Sequence, residues 1–185
     1  MQISLDGFIE GPKGELDWAM KEDEETWKDV FNLQRRADTL LLGRVMYPGF
    51  EKYWLAVPTN PSSTKNEIEY ARLADKMQKI VFSKTLEKVE WKTTRIIKDN
   101  IAEEILRMKQ HPGKDMVLLG GAGLVSTFMN LNLIDEYHLI VNPLVLGEGK
   151  PLFKDLKGKH KLQLMKTKTF KSGKIVLHYS KGLDD

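Results

Sequence analysis

At 185 residues, 41% of them hydrophobic, the chain is long enough to bury a substantial core as one domain spanning 1–185. It has no cysteine, which excludes disulfides, thiol nucleophiles and cysteine-ligated metals. A net charge of +3 is too small to argue for nucleic acid, no apolar stretch approaches membrane-spanning length, and the first residues lack a basic-then-apolar leader pattern, so a cytoplasmic protein is expected.

Taken in order, residues 3–5 read as the end of a strand, short enough that the numbered chain is expected to begin inside it, followed by a loop rich in Gly7, Gly11, Pro12 and Gly14. The acidic run from Glu22 to Glu25 marks a helix start, where carboxylates favour the positive end of the dipole. The helix runs over 24–37 with Trp27, Val30 and Phe31 on one face. A strand over 39–42 ends at Gly43-Arg44, a short helix over 45–54 is interrupted by Pro48, and a proline-serine loop leads to a helix over 65–76. Strands over 79–82 and 95–97 follow, the first ending at Ser83-Lys84, and then a helix over 101–109 stopped by Pro112-Gly113.

Residues 116–119 are a buried strand that breaks into Gly120-Gly121-Ala122-Gly123 before a helix over 124–130. Glycines with no side chain, placed between a strand and a helix N-terminus, bring bare N–H groups to an anion, usually phosphate. Because the 39–42 strand also ends in glycine, here followed by a guanidinium, two phosphate-ready turns in one small domain point to a dinucleotide. The last third reads as a strand over 136–142 closed by Pro143, then strands over 162–170 and 175–179 joined by a Ser172-Gly173 hairpin. Eight lysines and one acid between Lys154 and Lys174 alternate with apolar residues, which fits strands with a wet outer face better than a polyanion site. Alternating strands and helices over the first two thirds imply a mainly parallel sheet with helices on both faces, with the antiparallel strands at one edge.

These features resemble the dihydrofolate-reductase-like superfamily, and within it proteins similar to the C-terminal reductase domain of the bifunctional riboflavin-biosynthesis deaminase-reductase. The likeness rests on Ser4-Leu5-Asp6-Gly7-Phe8-Ile9 with Leu16-Asp17-Trp18, on Leu42-Gly43-Arg44, on Val81-Phe82-Ser83 and on Leu119-Gly120-Gly121-Ala122-Gly123. It continues through Leu133-Ile134-Asp135-Glu136 and Asn142-Pro143 into Leu146-Gly147-Glu148-Gly149-Lys150-Pro151-Leu152-Phe153. The resemblance implies a three-layer α/β fold and an NADPH-dependent oxidoreductase acting on a small heterocycle. It implies that Gly43, Arg44 and Gly120 to Gly123 hold the pyrophosphate and ribose side of the cofactor, that Ser83 and Lys84 face the 2′-phosphate, and that Gln2, Ile9 and the loop up to Trp18 border the nicotinamide. It also implies a homodimer, a state for which the apolar C-terminal strands supply a separate reason.

Three departures narrow the substrate. The cysteine-ligated zinc deaminase half is absent, and Trp27 stands near the position where folate reductases carry a carboxylate. Val57-Pro58-Thr59-Asn60-Pro61 replaces the Asp-Asp-Pro pattern that precedes the substrate-phosphate arginine of riboflavin reductases. Met46 stands where the family has a threonine. Asp6 is a candidate proton-relay acid, with a loop-fixing role the stronger reading. Trp18 is a candidate substrate-lining residue, and Glu148 is either a pocket residue or a turn. The four histidines, His111, His138, His160 and His178, are widely separated and match no metal spacing, so no metal is expected. The rival function is a non-catalytic nucleotide-binding or regulatory module on the same fold.

Overall fold

The computed structural model describes residues 1–19 and 23–182; Glu22 of the acidic run lies outside the described residues. The chain organises into two compact units, one formed by residues 27–124 and the other by residues 1–26 together with 125–182.

The 27–124 unit is built on a parallel sheet. Its strands are β3 (Ala37–Gly43), β4 (Gln78–Phe82), β5 (Thr94–Ile97) and β6 (Asp115–Gly120), in the spatial order β5-β4-β3-β6. Continuous apolar runs such as Leu40-Leu41-Leu42 and Ile80-Val81-Phe82 form these strands because both faces are covered, and all six side chains are buried. The helices are α1 (Glu24–Arg35), α2 (Tyr47–Ala56), followed by a 3-10 turn at Val57–Thr59, α3 (Lys65–Lys76) and α4 (Ile101–Gln110). Pro48 does not interrupt α2 but lies in its first turn, where a missing N–H costs nothing. Thr64 and Glu67 cap α3 reciprocally, the Thr64 hydroxyl accepting from the Glu67 N–H at 3.2 Å while the Glu67 carboxylate accepts from the Thr64 N–H at 2.7 Å. An aromatic core of Trp27, Phe31, Tyr47, Tyr70 and Trp91 fills one side of the sheet.

One buried lysine fastens this unit. Lys79, inside β4 and fully inaccessible, donates from Nζ to the Ala74 (2.6 Å), Asp75 (3.0 Å) and Met77 (2.9 Å) carbonyls and to Thr93 Oγ1 (2.6 Å). Its ammonium also stands 4.0 Å over the Trp91 ring, a cation–π contact. The charge adds a donor to carbonyls at the end of α3, where Ala74 also accepts from the Met77 N–H and Asp75 from Thr93 Oγ1, each at 3.3 Å. Burial pulls its pKa down to about 8, so the group still carries its proton at neutral pH.

The second unit carries a sheet in the order β1-β7-β10-β9, formed by β1 (Gln2–Ile3), β7 (Glu136–Val141), β9 (Leu162–Thr169) and β10 (Ile175–Lys181). Only β1–β7 is parallel; β10 runs antiparallel to both β7 and β9. The C-terminal strands thus belong to a sheet of their own rather than pairing with β3 to β6. The expected hairpin is present, with Gly173 at φ +84° and its N–H on the Phe170 carbonyl at 3.0 Å. A short ribbon of β2 (Phe8–Glu10) and β8 (Lys150–Pro151) has no periodic signature in the sequence. It requires Gly149, whose φ is +148° and where a Cβ would lie 2.3 Å from the Glu10 carbonyl oxygen. Helix α5 (Ala122–Asn130) reaches into this unit and pins the following loop, with Ser126 Oγ donating to the Lys154 carbonyl at 2.6 Å and Asn130 Nδ2 to that of Asp155 at 3.0 Å. Among the described residues no helix is long and apolar enough to cross a membrane.

Replacing Lys79 by Met keeps much of the side-chain volume but takes the ammonium from the buried Met77 carbonyl and from Thr93 Oγ1, and leaves the Ala74 and Asp75 carbonyls with one donor each, the Met77 N–H and Thr93 Oγ1. Lys79→Met is expected to cost about 3 kcal/mol or more in urea unfolding. A loss below about 0.5 kcal/mol would show that water satisfies those carbonyls.

Candidate functional site

The order β5-β4-β3-β6 makes a topological switch point. From β3 the chain moves to β4 and β5 on one side, then returns to β6 on the other. Ligands of open α/β sheets collect beyond the carboxyl ends of the strands at such a point, which here is the gap between β3 and β6. Both glycine turns lie there. Gly43 ends β3 and packs against the peptide joining Gly120 and Gly121, where a Cβ would meet the Gly120 oxygen and the Gly121 nitrogen at 3.3 Å. Gly120 itself has φ +109°, and the Gly120–Gly121 peptide is cis.

Two helices begin at this edge. Helix α5 starts at Ala122, directly after the Gly120-Gly121 turn. Helix α2 starts at Tyr47 with Met46 at the N-cap, and no side chain caps it. The substitution of Met46 for a hydroxyl residue thus leaves the first N–H groups of α2 without a side-chain acceptor. Arg44, between strand and helix, is exposed and forms no ion pair with the described residues. Neighbouring strand ends, two helix N-termini and a guanidinium make an anion-selective edge.

The other expected contacts are arranged differently. Ser83 is buried at the end of β4, and its Oγ accepts from the Thr85 (3.1 Å) and Leu86 (2.8 Å) N–H groups, shaping the turn that follows. Lys84 is exposed and pairs with Asp99 at 3.0 Å, a surface contact weak enough to exchange. Trp27 is core, stacked on Phe31 at 5.5 Å and tilted against Tyr70 at 6.1 Å.

In the second unit, Asp6 fixes a loop. Its carboxylate accepts from Ser4 Oγ (2.6 Å) and from the Leu146 (3.2 Å) and Gly147 (2.8 Å) N–H groups. The Ser4 hydroxyl, followed by the Gly147 and Leu146 N–H groups, holds the carboxyl below its ordinary range, so it stands ionised. Ile9 is buried on β2, and Glu148 is exposed in a turn. Trp18 is half-buried, its indole N–H donating to the Glu15 carbonyl at 3.2 Å. Two residues not singled out by sequence have evident work. Ser4 is fully buried and accepts from the Phe8 N–H at 2.9 Å. Asn142, also buried, donates from Nδ2 to the Ile3 carbonyl at 3.1 Å, tying the ends of β1 and β7. Both lie inside quoted motifs, where a small polar residue beside an apolar strand was the available signal. The histidines do not stay dispersed, because His138 and His178 face each other across β7 and β10.

A parallel sheet with both glycine turns at its switch point has the layout of an open α/β fold. The chain belongs to the RibD C-terminal domain family, whose model matches residues 1–176. It is 41% identical over 182 residues to the Bacillus subtilis protein YyaP, spanning 97% of this chain and 93% of that one. A putative riboflavin biosynthesis protein from Shewanella sp. PV-4 superposes with a TM-score of 0.75 at 21% identity, covering 99% of this chain and 97% of the other. A dihydrofolate reductase from Enterococcus faecalis, solved with NADP(H), gives a TM-score of 0.60 at 16% identity over 97% of this chain and 92% of that one. The fold is therefore dihydrofolate-reductase-like.

If the Asp6 carboxylate holds the 146–147 loop, Asp6→Asn is expected to speed hydrogen exchange at the Gly147 amide by about tenfold or more. Unchanged exchange would mean the loop is fixed by its backbone alone.

Proposed function

We propose that this protein is an NADPH-dependent reductase that passes hydride to a small heterocycle of the pyrimidine or pterin kind, with dihydrofolate a poor substrate. The observation that carries the reading is the meeting of both glycine turns and an unpaired arginine at the β3/β6 switch point. Family membership supports it, as does the likeness to a reductase solved with NADP(H).

The residues present fit such a cofactor, because Gly43 and Gly120 leave a backbone cradle and α2 offers N–H groups that no side chain caps. When bound, the nicotinamide supplies the hydride. Gly43 and Gly120 to Gly123 would hold the pyrophosphate close to the backbone, and Arg44 would offer its planar fork to phosphate oxygens. Lys84, paired with Asp99 at 3.0 Å, would be the group to hold the 2′-phosphate, and Ser83 sets the turn that carries it. With Trp27 sealed in the aromatic core, α1 offers no carboxylate at the position where folate reductases protonate a pterin.

A charge-assisted contact to the extra phosphate is worth roughly 1.5–3 kcal/mol, which is about ten- to a hundred-fold in affinity. NADPH is expected to bind that much more tightly than NADH, with Lys84→Ala erasing most of the difference and Arg44→Ala weakening both cofactors. Equal affinities in the native protein would overturn the cofactor assignment. Steady NADPH oxidation with a panel of pyrimidines and pterins tests turnover, with dihydrofolate at the slow end. Tight NADPH binding with no turnover across that panel favours the regulatory module instead.

We infer further that the protein is a homodimer built through its C-terminal strands. β9 is an end strand of its sheet, and Leu164 and Met165 are 52% and 57% exposed beside Lys166. An open edge with large apolar side chains favours a second copy, while the lysines stay wet. Light scattering at micromolar concentration is expected to give a dimer mass that Leu164→Lys reduces to the monomer. A monomer mass for the unaltered protein would overturn this.

A further inference from the structure

The nucleotide edge leaves one cluster of chemistry-bearing side chains unused. Glu136 and His138 are two apart on β7 and so share a face, and His178 is the direct cross-strand partner of His138 on β10. The two imidazoles stack with centroids 4.0 Å apart and planes 22° from parallel. Both aim Nε2 at the same atom, Glu136 Oε2, at 3.3 Å from His138 and 3.0 Å from His178. Each residue offers one ligand atom, and all three atoms lie within 4.8 Å of one another.

We propose that Glu136, His138 and His178 bind a divalent transition-metal cation of the zinc class. Nitrogen and carboxylate oxygen bonds of about 2.0–2.2 Å put tetrahedral ligand atoms roughly 3.3–3.5 Å apart, which is the spacing already present around Glu136 Oε2. Two imidazoles and one carboxylate suit zinc, copper or nickel better than calcium or magnesium, which take oxygen donors. Three protein ligands leave a fourth position for water.

The surroundings suit the assignment. The imidazole side chains are only 24% and 21% exposed, and each sits on a strand hydrogen-bonded to the other, so little ordering remains to be done on binding. The next residue in this row is Lys166 on β9, opposite His178; it is exposed and long enough to keep its charge in water. The site would clamp β7 to β10 across the middle of their ladder.

The test is a calorimetric titration of tag-free protein with zinc chloride, backed by the visible spectrum with cobalt(II). One equivalent per chain with micromolar or tighter affinity is expected, with the intense cobalt bands of four-coordination. Losing even a group that supports a ligand costs about 10–100-fold in affinity, so His178→Ala and Glu136→Gln should each cost at least about tenfold. His160→Ala should bind as the native protein does. Glu136→Gln keeps shape and strand pairing, so it reads the site even if the histidine variant folds poorly. Absence of a stoichiometric isotherm, or binding that survives Glu136→Gln, would overturn the proposal and leave the trio a hydrogen-bonded cross-strand cluster.

Discussion

The closeness of β3 and β6 at their carboxyl ends is the constraint on which the candidate site depends. From Thr39 to Leu41 the strands keep step, pairing Leu40 with Val117 and Leu41 with Leu118, and then β6 takes one extra residue so that Leu42 meets Gly120. The extra residue re-aims the end of β6, as bulges do. Gly43 then comes so close to the Gly120–Gly121 peptide that a Cβ there would stand 3.3 Å from its oxygen and nitrogen and would push the peptide back by a few tenths of an ångström. A side chain at either strand end would fill the space where the two turns and the starts of α2 and α5 converge. Gly43 is thus a packing requirement first, and the closeness of the two turns is its consequence.

This explains which parts of the molecule were legible in the sequence. Strand β3, the glycine turns and the helices of the 27–124 unit are written locally, in apolar runs and breakers a few residues apart. The boundary at Pro48 was misjudged because a proline that breaks a helix and one that starts it differ only in register. The β2–β8 ribbon was invisible, since strands of two or three residues have no periodicity and their partners lie about 140 positions away. The same limit hid the histidine pair. Alternation shows that Glu136 and His138 share a face, but pairing with His178 depends on the β7–β10 register, which no local pattern records. Asp6 shows the converse, since the motif marked the residue while its partners at Leu146 and Gly147 emerged only from the fold.

The second unit is held by polar fastenings where its strands are too short to hold themselves. β1 contributes only two residues to the sheet, yet Asn142 bonds to the Ile3 carbonyl. The ribbon is tied by Lys150 to Glu10 at 2.7 Å, and the loop beyond it by α5 through Ser126 and Asn130. Such fastenings contribute about 1 kcal/mol each, and their effect is to fix loops rather than to drive collapse. Motif residues that look scattered along the sequence, Ser4 with Asp6, Asn142, Gly147 with Gly149, take part in such ties in this chain.

Lys79 turns burial into a chemical clock. An amine wholly enclosed by carbonyls, a hydroxyl and an indole face cannot meet an acylating reagent while the 27–124 unit stays closed. Most other lysines of the chain react from the surface at once. The slow fraction of amine labelling would therefore count openings of α3 away from β4, with no probe added to the protein. Because ligands that favour the closed form reduce such openings, the labelling rate at one residue would also serve as an affinity measurement for anything held at the sheet edge, including molecules that are never turned over.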